Sequence, residues 1–291
     1  MNKISIRFFD DKEIRAVWDD EKSSWWFSVV DIIGVLTDNP RKYWTVLKTR
    51  LKQNNLQFAA KCSQMKLTAK NGKKYATDCL SQDNIITLVE NVPSKKATEF
   101  IKWFIYSDDT IDGKSKSKAY ALFDSSLLGT IEVGTVKGLQ QIHGYLFGGL
   151  YDFAGQIRTL SIAKGGFSFA PAKFLPKTLA NIEAMPESSL DEIVNKYVEM
   201  NVAHPFMEGN GRSTRIWLDF ILKKSLRVCV DWSKIGKKEY FTAMKQSVTN
   251  SASIKALLKS ALTDRINDRE VYTKGVDYSY YYEQDDEVSI E

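Results

Sequence analysis

Near the end of the chain, one run stands between two helical patterns: His204-Pro205-Phe206-Met207-Glu208-Gly209-Asn210-Gly211-Arg212-Ser213-Thr214-Arg215. Before it, Leu190, Ile193, Val194, Tyr197 and Val198 recur at helical spacing behind a Ser189-x-x-Glu192 capping box. After it, Ile216, Leu218, Phe220, Ile221 and Leu222 form a second helical pattern. The spacing predicts two helices that meet at a Gly209-Asn210-Gly211 turn, with Asn210 as N-cap of the second.

A turn of that kind presents backbone N–H groups with no helical partner, which makes an anion site. Arg212 and Arg215 emerge on one face of the second helix beside it, and Arg212, in the first turn, can fork onto phosphate oxygens. Glu208 is a hard oxygen ligand suited to a partly hydrated Mg²⁺ that bridges phosphates. His204 ordinarily titrates near neutrality and can take a proton from a hydroxyl. Together these groups form a base, a metal carboxylate, a phosphate cradle and a charge clamp, the equipment of phosphoryl or nucleotidyl transfer. The bland alternative is a helix-loop-helix with a tight turn and surface arginines.

The run fits the pattern H-P-F-x-[DE]-G-N-G-R-x-x-R without a mismatch, and the chain from roughly residue 113 to 291 resembles the Fic family. The resemblance implies an all-helical fold and a protein adenylyltransferase that moves AMP from ATP to a hydroxyl of a target protein. It assigns His204 as base and Glu208 to Mg²⁺, and it lays the ATP phosphates on Gly209, Asn210, Gly211, Arg212 and Arg215. Phe206 becomes an apolar anchor of the loop.

Composition sets the outer limits. At 291 residues the chain has room for two domains with cores of their own. No window has the apolar length to span a bilayer, and the charged start does not read as a signal peptide. The three cysteines, Cys62, Cys79 and Cys229, make neither a disulfide framework nor a metal pair, so a reducing cytoplasm is the expected setting.

The expected organisation is a mixed α/β domain over residues 1–107, a polar linker at 108–117 and a helical domain over 118–291, α+β overall. In the first part, Ile4–Phe8 and Ile14–Trp18 alternate as strands, Asn71-Gly72 marks a hairpin, and residues 82–106 read as helix broken at Pro93. From Asn39 to Thr77 there is no Asp or Glu, while Arg41, Lys42, Lys48, Arg50, Lys70, Lys73 and Lys74 are among the cations. Such a stretch is either a solvated basic face or a surface for a phosphate backbone. The segments Trp26–Ile33, Arg41–Lys48 and Asn71–Asp78 resemble Bro-N/KilA-like domains, which implies DNA as a partner through those cations.

In the second part, Val136–Tyr151 reads as a helix, and its His143 as a packed or capping residue. Residues 159–170 alternate on both sides of Gly165-Gly166, a hairpin. It is either a β-decoration of the core or an edge on which an extended target segment docks. It resembles the Fic flap, which implies target docking there, with Lys164 and Gly165 bordering the nucleotide. Similar proteins wall the adenine near Tyr240 and Phe241, although both residues also suit core packing.

Residues 255–270 read as helical and charged, and the tyrosine-rich stretch beyond them is either a frayed tail or a helix with Ser279 and Glu283 on one face. Some Fic proteins carry an inhibitory helix with the pattern [ST]-x-x-x-E-[GN] on the C-terminal side of the signature. This chain has Gln284 at the last position. The resemblance implies that Glu283 pairs with Arg215 and restrains the enzyme, which can also adenylylate itself. The alternatives are a Fic enzyme with another phosphate-containing donor, one that removes AMP, or a DNA-binding regulator that only senses nucleotide.

Overall fold

The computed structural model describes residues 4–54, 61–69, 71–164, 166–284 and 288–290, and the chain divides into two compact units between Asp108 and Asp109. The first unit is built on strands β1 (Ile4–Phe9), β2 (Lys12–Asp19), β3 (Ser24–Ser28), β4 (Ser63–Thr68) and β5 (Lys74–Ser81). They form one antiparallel sheet in the order β1-β2-β3-β5-β4. Asp10 and Asp11, at φ 47° and 57°, make the two-residue turn between β1 and β2, as aspartate tolerates the left-handed region. Helices α1 (Val29–Leu36), α2 (Pro40–Asn54), α3 (Gln82–Glu90) and α4 (Ala97–Tyr106) complete the unit. Its core gathers Phe9, Phe27, Ile32, Ile33, Leu88, Phe100 and Phe104.

The second unit opens with α5 (Ile111–Leu122), capped by Thr110. This corrects the expectation of a linker at 108–117: residues 111–117 are helix. The stretch is polar because its inward groups bond to polar partners. Asp112 binds Arg212, the Ser115 hydroxyl accepts from Tyr280 at 3.1 Å, and Lys116 pairs with the buried Asp277 at 2.7 Å. Next come α6 (Val136–Phe147), the strands β6 (Ile162–Lys164) and β7 (Phe167–Ser168), and α7 (Leu175–Glu183). Helix α6 stops at Phe147, short of the expected Tyr151, with Gly148 as its C-cap.

Helix α8 (Leu190–Ala203) starts with the predicted capping box: Ser189 accepts from the Glu192 N–H and the Glu192 carboxylate accepts from the Ser189 N–H. Helix α9 (Asn210–Leu226) lies at the centre, with Trp217, Leu218, Ile221 and Leu222 fully buried. A helix buried on nearly every face, its polar residues included, is one surrounded by other elements. Strand β8 (Cys229–Val230), α10 (Lys237–Ser247), α11 (Ala252–Ser260), β9 (Leu262–Thr263), α12 (Arg269–Tyr282) and β10 (Val288–Ile290) follow. The unit is therefore not purely helical outside the hairpin: β8 pairs with β9, and β10 joins β6 and β7 in a three-stranded sheet. Helix 255–270, as expected from sequence, is instead interrupted by β9 and the turn that Asp268 ends as N-cap of α12.

Candidate active site

The signature begins where α8 ends. His204 takes φ 50° and ψ 65°, a left-handed corner that stops the helix, and its N–H still bonds the Met200 carbonyl at 3.0 Å. Its Nδ1 lies 3.2 Å from the Asn201 carbonyl oxygen. A carbonyl only accepts, so Nδ1 carries the hydrogen and Nε2 is left as the basic nitrogen. The ring stacks on Phe169 at 3.7 Å between centroids and 12° between planes. Burial pushes the imidazole down to about 3, against the raising effects of Asn201 and Glu283, so it is neutral at physiological pH.

Beneath that corner lies a residue whose role the sequence did not reveal. Arg158 is 4% exposed. Its guanidinium donates to the carbonyls of His204 (2.7 Å), Leu160 (2.6 Å), Ala170 (2.5 Å) and Ala203 (3.1 Å). One side chain thereby ties the His204 corner to both arms of the hairpin. The Arg158 N–H to the Pro205 carbonyl (2.8 Å) and the Ala170 N–H to the Val202 carbonyl (3.2 Å) reinforce the join.

His143 is packed, as expected, but it also holds the signature loop. The Gly155 N–H donates to its Nδ1 at 2.8 Å, which obliges Nε2 to carry the hydrogen and donate to the Glu208 carbonyl at 2.9 Å. Its ring stacks on Phe206, itself fully buried, at 3.8 Å and 21°. Burial holds His143 down at about 4, so this one-donor, one-acceptor state persists at neutral pH.

Gly209, at φ 79°, is the N-cap of α9, and a Cβ there would lie 2.4 Å from Phe147. Asn210 is therefore not the cap; it is the first helical residue, and its amide folds back to accept from the Phe206 N–H and donate to the Phe206 carbonyl, both at 2.8 Å. The Glu208 carboxylate is part-exposed, and its Oε1 accepts from the Gly209 N–H at 2.9 Å and from Arg212 at 2.7 Å. Arg212 does fork, but onto Glu208 and Asp112, with its plane over Phe147 and Tyr280.

Arg215, 2% exposed, donates to the Ser279 hydroxyl (2.7 Å), the Ser279 carbonyl (2.8 Å), Glu283 Oε1 (2.5 Å) and the Tyr240 hydroxyl (3.3 Å). Ser279 and Glu283 do share a helical face, and they reach the same guanidinium. Lys164 from β6 adds a second cation, 3.3 Å from Glu283 Oε2. Burial alone would raise the Glu283 pKa, but Arg215, Lys164 and Arg212 outweigh it and hold the carboxyl at about 2. Glu283 Oε1 also lies 2.1 Å from where a Cβ on Gly211 would stand, so only glycine admits it to the first turn of α9. The tyrosine-rich stretch is thus a docked helix and no frayed tail; Asp277, Ser279, Tyr280 and Tyr282 are buried.

Tyr240 is 2% exposed, its ring stacked on Tyr282 at 4.9 Å and its hydroxyl 2.5 Å from that of Tyr197, while the neighbouring Phe241 is half-buried. Gly165 lies outside the described residues; Gly166 has the positive φ, 78°. In the first unit Arg41, Lys42, Arg50, Lys73 and Lys74 are exposed, and Lys70 lies outside the described residues. Lys48 is corrected: it is half-buried and paired with Asp78 at 2.7 Å, just past the acid-free stretch.

Among the described residues no cluster of three or more His, Cys, Asp or Glu is placed for a metal, and no helix is long and apolar enough to cross a membrane. Glu208 Oε2 accepts no hydrogen bond among the described residues, which fits a single carboxylate ligand for Mg²⁺, an ion that usually keeps several waters and takes substrate phosphates.

Residues 134–222 match the Fic/DOC family, and residues 13–109 match the BRO family, N-terminal domain. The chain thus carries a Bro-N domain followed by a Fic domain. Protein adenylyltransferase VbhT of Bartonella schoenbuchensis is 28% identical over 174 residues, a match that takes in 55% of this chain and 35% of that protein. Probable protein adenylyltransferase Fic of Salmonella typhimurium is 25% identical over 151 residues, 46% of this chain and 75% of that one. The Escherichia coli protein of the same description is 30% identical over 105 residues, 31% and 52% of the two chains. The match therefore spans about a third of VbhT. Among solved structures, BepC protein of Bartonella tribocorum with bound AMPPNP covers 53% of this chain and 84% of that one at 19% identity and a TM-score of 0.46.

Proposed function

We propose that this protein transfers AMP from ATP to a hydroxyl of a target protein. The observation that carries the reading is the seat of Glu283. A carboxylate lies at the N-terminal turn of α9, over the space Gly211 leaves, between Arg215 and Lys164. A site that holds one anion there is built for anions, and a triphosphate brings more charge to the same guanidinium and to the N–H groups of that turn. The names of the related proteins support ATP as the donor.

In this reading the target's hydroxyl oxygen attacks the α-phosphorus. The new O–P bond forms as the bond from that phosphorus to the α–β bridging oxygen breaks, and pyrophosphate leaves with the electron pair. The hydroxyl proton passes to His204 Nε2, the nitrogen its contact with Asn201 leaves basic. A Mg²⁺ on Glu208 would neutralise charge on the phosphates. Arg212 holds the departing charge. The flap presents the target. Glu283 restrains the enzyme, since an incoming γ-phosphate must compete with it for Arg215.

The test uses Glu283→Gly with ATP labelled on either the α- or the γ-phosphate. Label from the α-position should appear on protein, and adding His204→Ala should lower it by roughly 10²–10⁴. Transfer of the γ-label, or undiminished transfer by the alanine variant, rejects the reading.

For the Bro-N domain we propose duplex DNA as partner, supported by the exposed Arg41, Lys42, Arg50, Lys73 and Lys74. Its binding should weaken steeply with salt, and Lys73→Glu with Lys74→Glu should reduce the salt slope by roughly two. No binding at low salt rejects it.

A further inference from the structure

The flap is three-stranded. β7 covers one side of β6, with Ala163 opposite Ser168 and Lys164 opposite Phe167. On the other side lies β10, antiparallel, with Val288 opposite Lys164, Ser289 opposite Ala163 and Ile290 opposite Ile162. An open strand edge is a template for any extended chain, and β6 has only this second edge to offer. We propose that residues 288–290 hold, in cis, the edge on which an extended segment of a target protein must dock. The consequence for activity rests on the adenylyl-transfer reading above.

Two features favour this assignment. The first is continuity. The stretch that seats Glu283 against Arg215 and Lys164 runs on, within a few residues, into the strand that pairs with Lys164 from the edge. Lys164 is therefore held twice, by its ammonium and by its backbone neighbour, and one segment closes both the nucleotide side and the peptide side.

The second is register. Successive strand residues face opposite sides, so Ile162 and Lys164 share a face, and the Lys164 ammonium reaches Glu283 in the site. An acceptor residue is best placed opposite Ile162 or Lys164. The resident strand has Ile290 and Val288 at those positions, neither with a hydroxyl, so it fills the edge without being an acceptor there. A three-residue ladder is weak on its own, but a short tether gives it an effective concentration on the order of millimolar. A target segment with a longer ladder can then displace it.

The experiment compares the full chain with a Val288→Pro, Ser289→Pro double variant. Adjacent strand N–H groups point to opposite sides, so the pair of prolines removes whichever one bonds β6. A fluorescent peptide with the sequence of residues 285–291 is titrated without ATP. Its affinity for the variant should exceed that for the wild type by about tenfold or more. Hydrogen exchange at 162–164 should be faster in the variant and slow again when the peptide is added. Equal affinity for both proteins, or exchange at 162–164 indifferent to variant and peptide, overturns the proposal. Because no nucleotide is present, neither result bears on AMP transfer. If the peptide docks as expected and α-label is never transferred, the catalytic reading fails while the docking edge stands.

Discussion

Two buried guanidinium groups flank the His204 corner and are held in opposite ways. Arg158 sits among four carbonyl oxygens drawn from the corner and the hairpin, with no carboxylate. Arg215 sits against the Glu283 carboxylate and the Ser279 hydroxyl and carbonyl, all from the α12 segment, with the Tyr240 hydroxyl at 3.3 Å beside them. A cage of main-chain carbonyls cannot be titrated and cannot be exchanged for a ligand without unmaking the backbone. A carboxylate cap can be exchanged, because a phosphate also offers paired anionic oxygens to the guanidinium fork. One arginine is architecture, and the other is a socket.

The largest effect expected from this contrast is on stability. Arg158→Met leaves four main-chain carbonyls, one buried and three partly buried, without their side-chain donor, and each such loss carries a desolvation penalty. Thermal unfolding of the second unit should show a loss of at least about 3 kcal/mol, a fall in Tm of roughly 6–12 °C. A loss below about 1 kcal/mol would mean that the cage is ornamental and would erase the contrast.

Next is the socket. Glu283→Gly should let ATP with Mg²⁺ raise Tm well beyond what it does for the wild type, by the equivalent of roughly 2.7 kcal/mol at a hundred times Kd. Arg215→Ala should cancel that gain. Equal ATP shifts in wild type and Glu283→Gly would show that the carboxylate does not compete with the nucleotide.

The smallest effect sharpens the contrast with pH. The Glu283 carboxyl is held at about 2, below its ordinary value, so its contribution is complete above about 4.5 and fades only as pH falls toward 2. The cap therefore does not titrate between pH 5 and 7. His143 acts in the same direction but at higher pH. Burial holds His143 at about 4, so the unfolded chain takes up the proton first and stability falls as pH drops from about 6.5 toward 4. At pH 5 that amounts to roughly 2 kcal/mol. His143→Gln, which keeps a donor and an acceptor, should flatten the denaturation midpoint between pH 7 and pH 5 by about that amount. An unchanged slope would mean that His143 protonates in place.

The local chemistry was legible where one residue type had one reason to stand where it does. The Ser189 and Glu192 box, the Asn71-Gly72 turn and the histidine-to-arginine run each fall there, as did the pairing of Ser279 and Glu283 on one helical face. What stayed hidden was polar burial between distant segments. Helix α5 reads as a linker because Asp112, Ser115 and Lys116 look solvent-bound until Arg212, Tyr280 and Asp277 come to meet them. Arg158 gives no signal, since four carbonyls leave no mark on side-chain identity. Lys48 reads as an open cation because its partner Asp78 lies across the hairpin. The pairing of β10 with β6 joins segments far apart in sequence and has no local signature.

Gly211 has a consequence for how the proposed restraint by Glu283 could be lost by mutation. Its missing methyl group makes the space that Glu283 occupies and, in the proposed reaction, the space the phosphates would need. Two mutually exclusive occupants depend on one absent atom. No substitution at Gly211 could displace Glu283 and still leave room for the phosphates of the proposed reaction, so under that reading a change at Gly211 offers no single-step route to a constitutively active enzyme. Such routes run through α12 and the strand beyond it, where sequence can drift without touching the machinery. Heritable variation in resting activity should therefore concentrate in that final stretch.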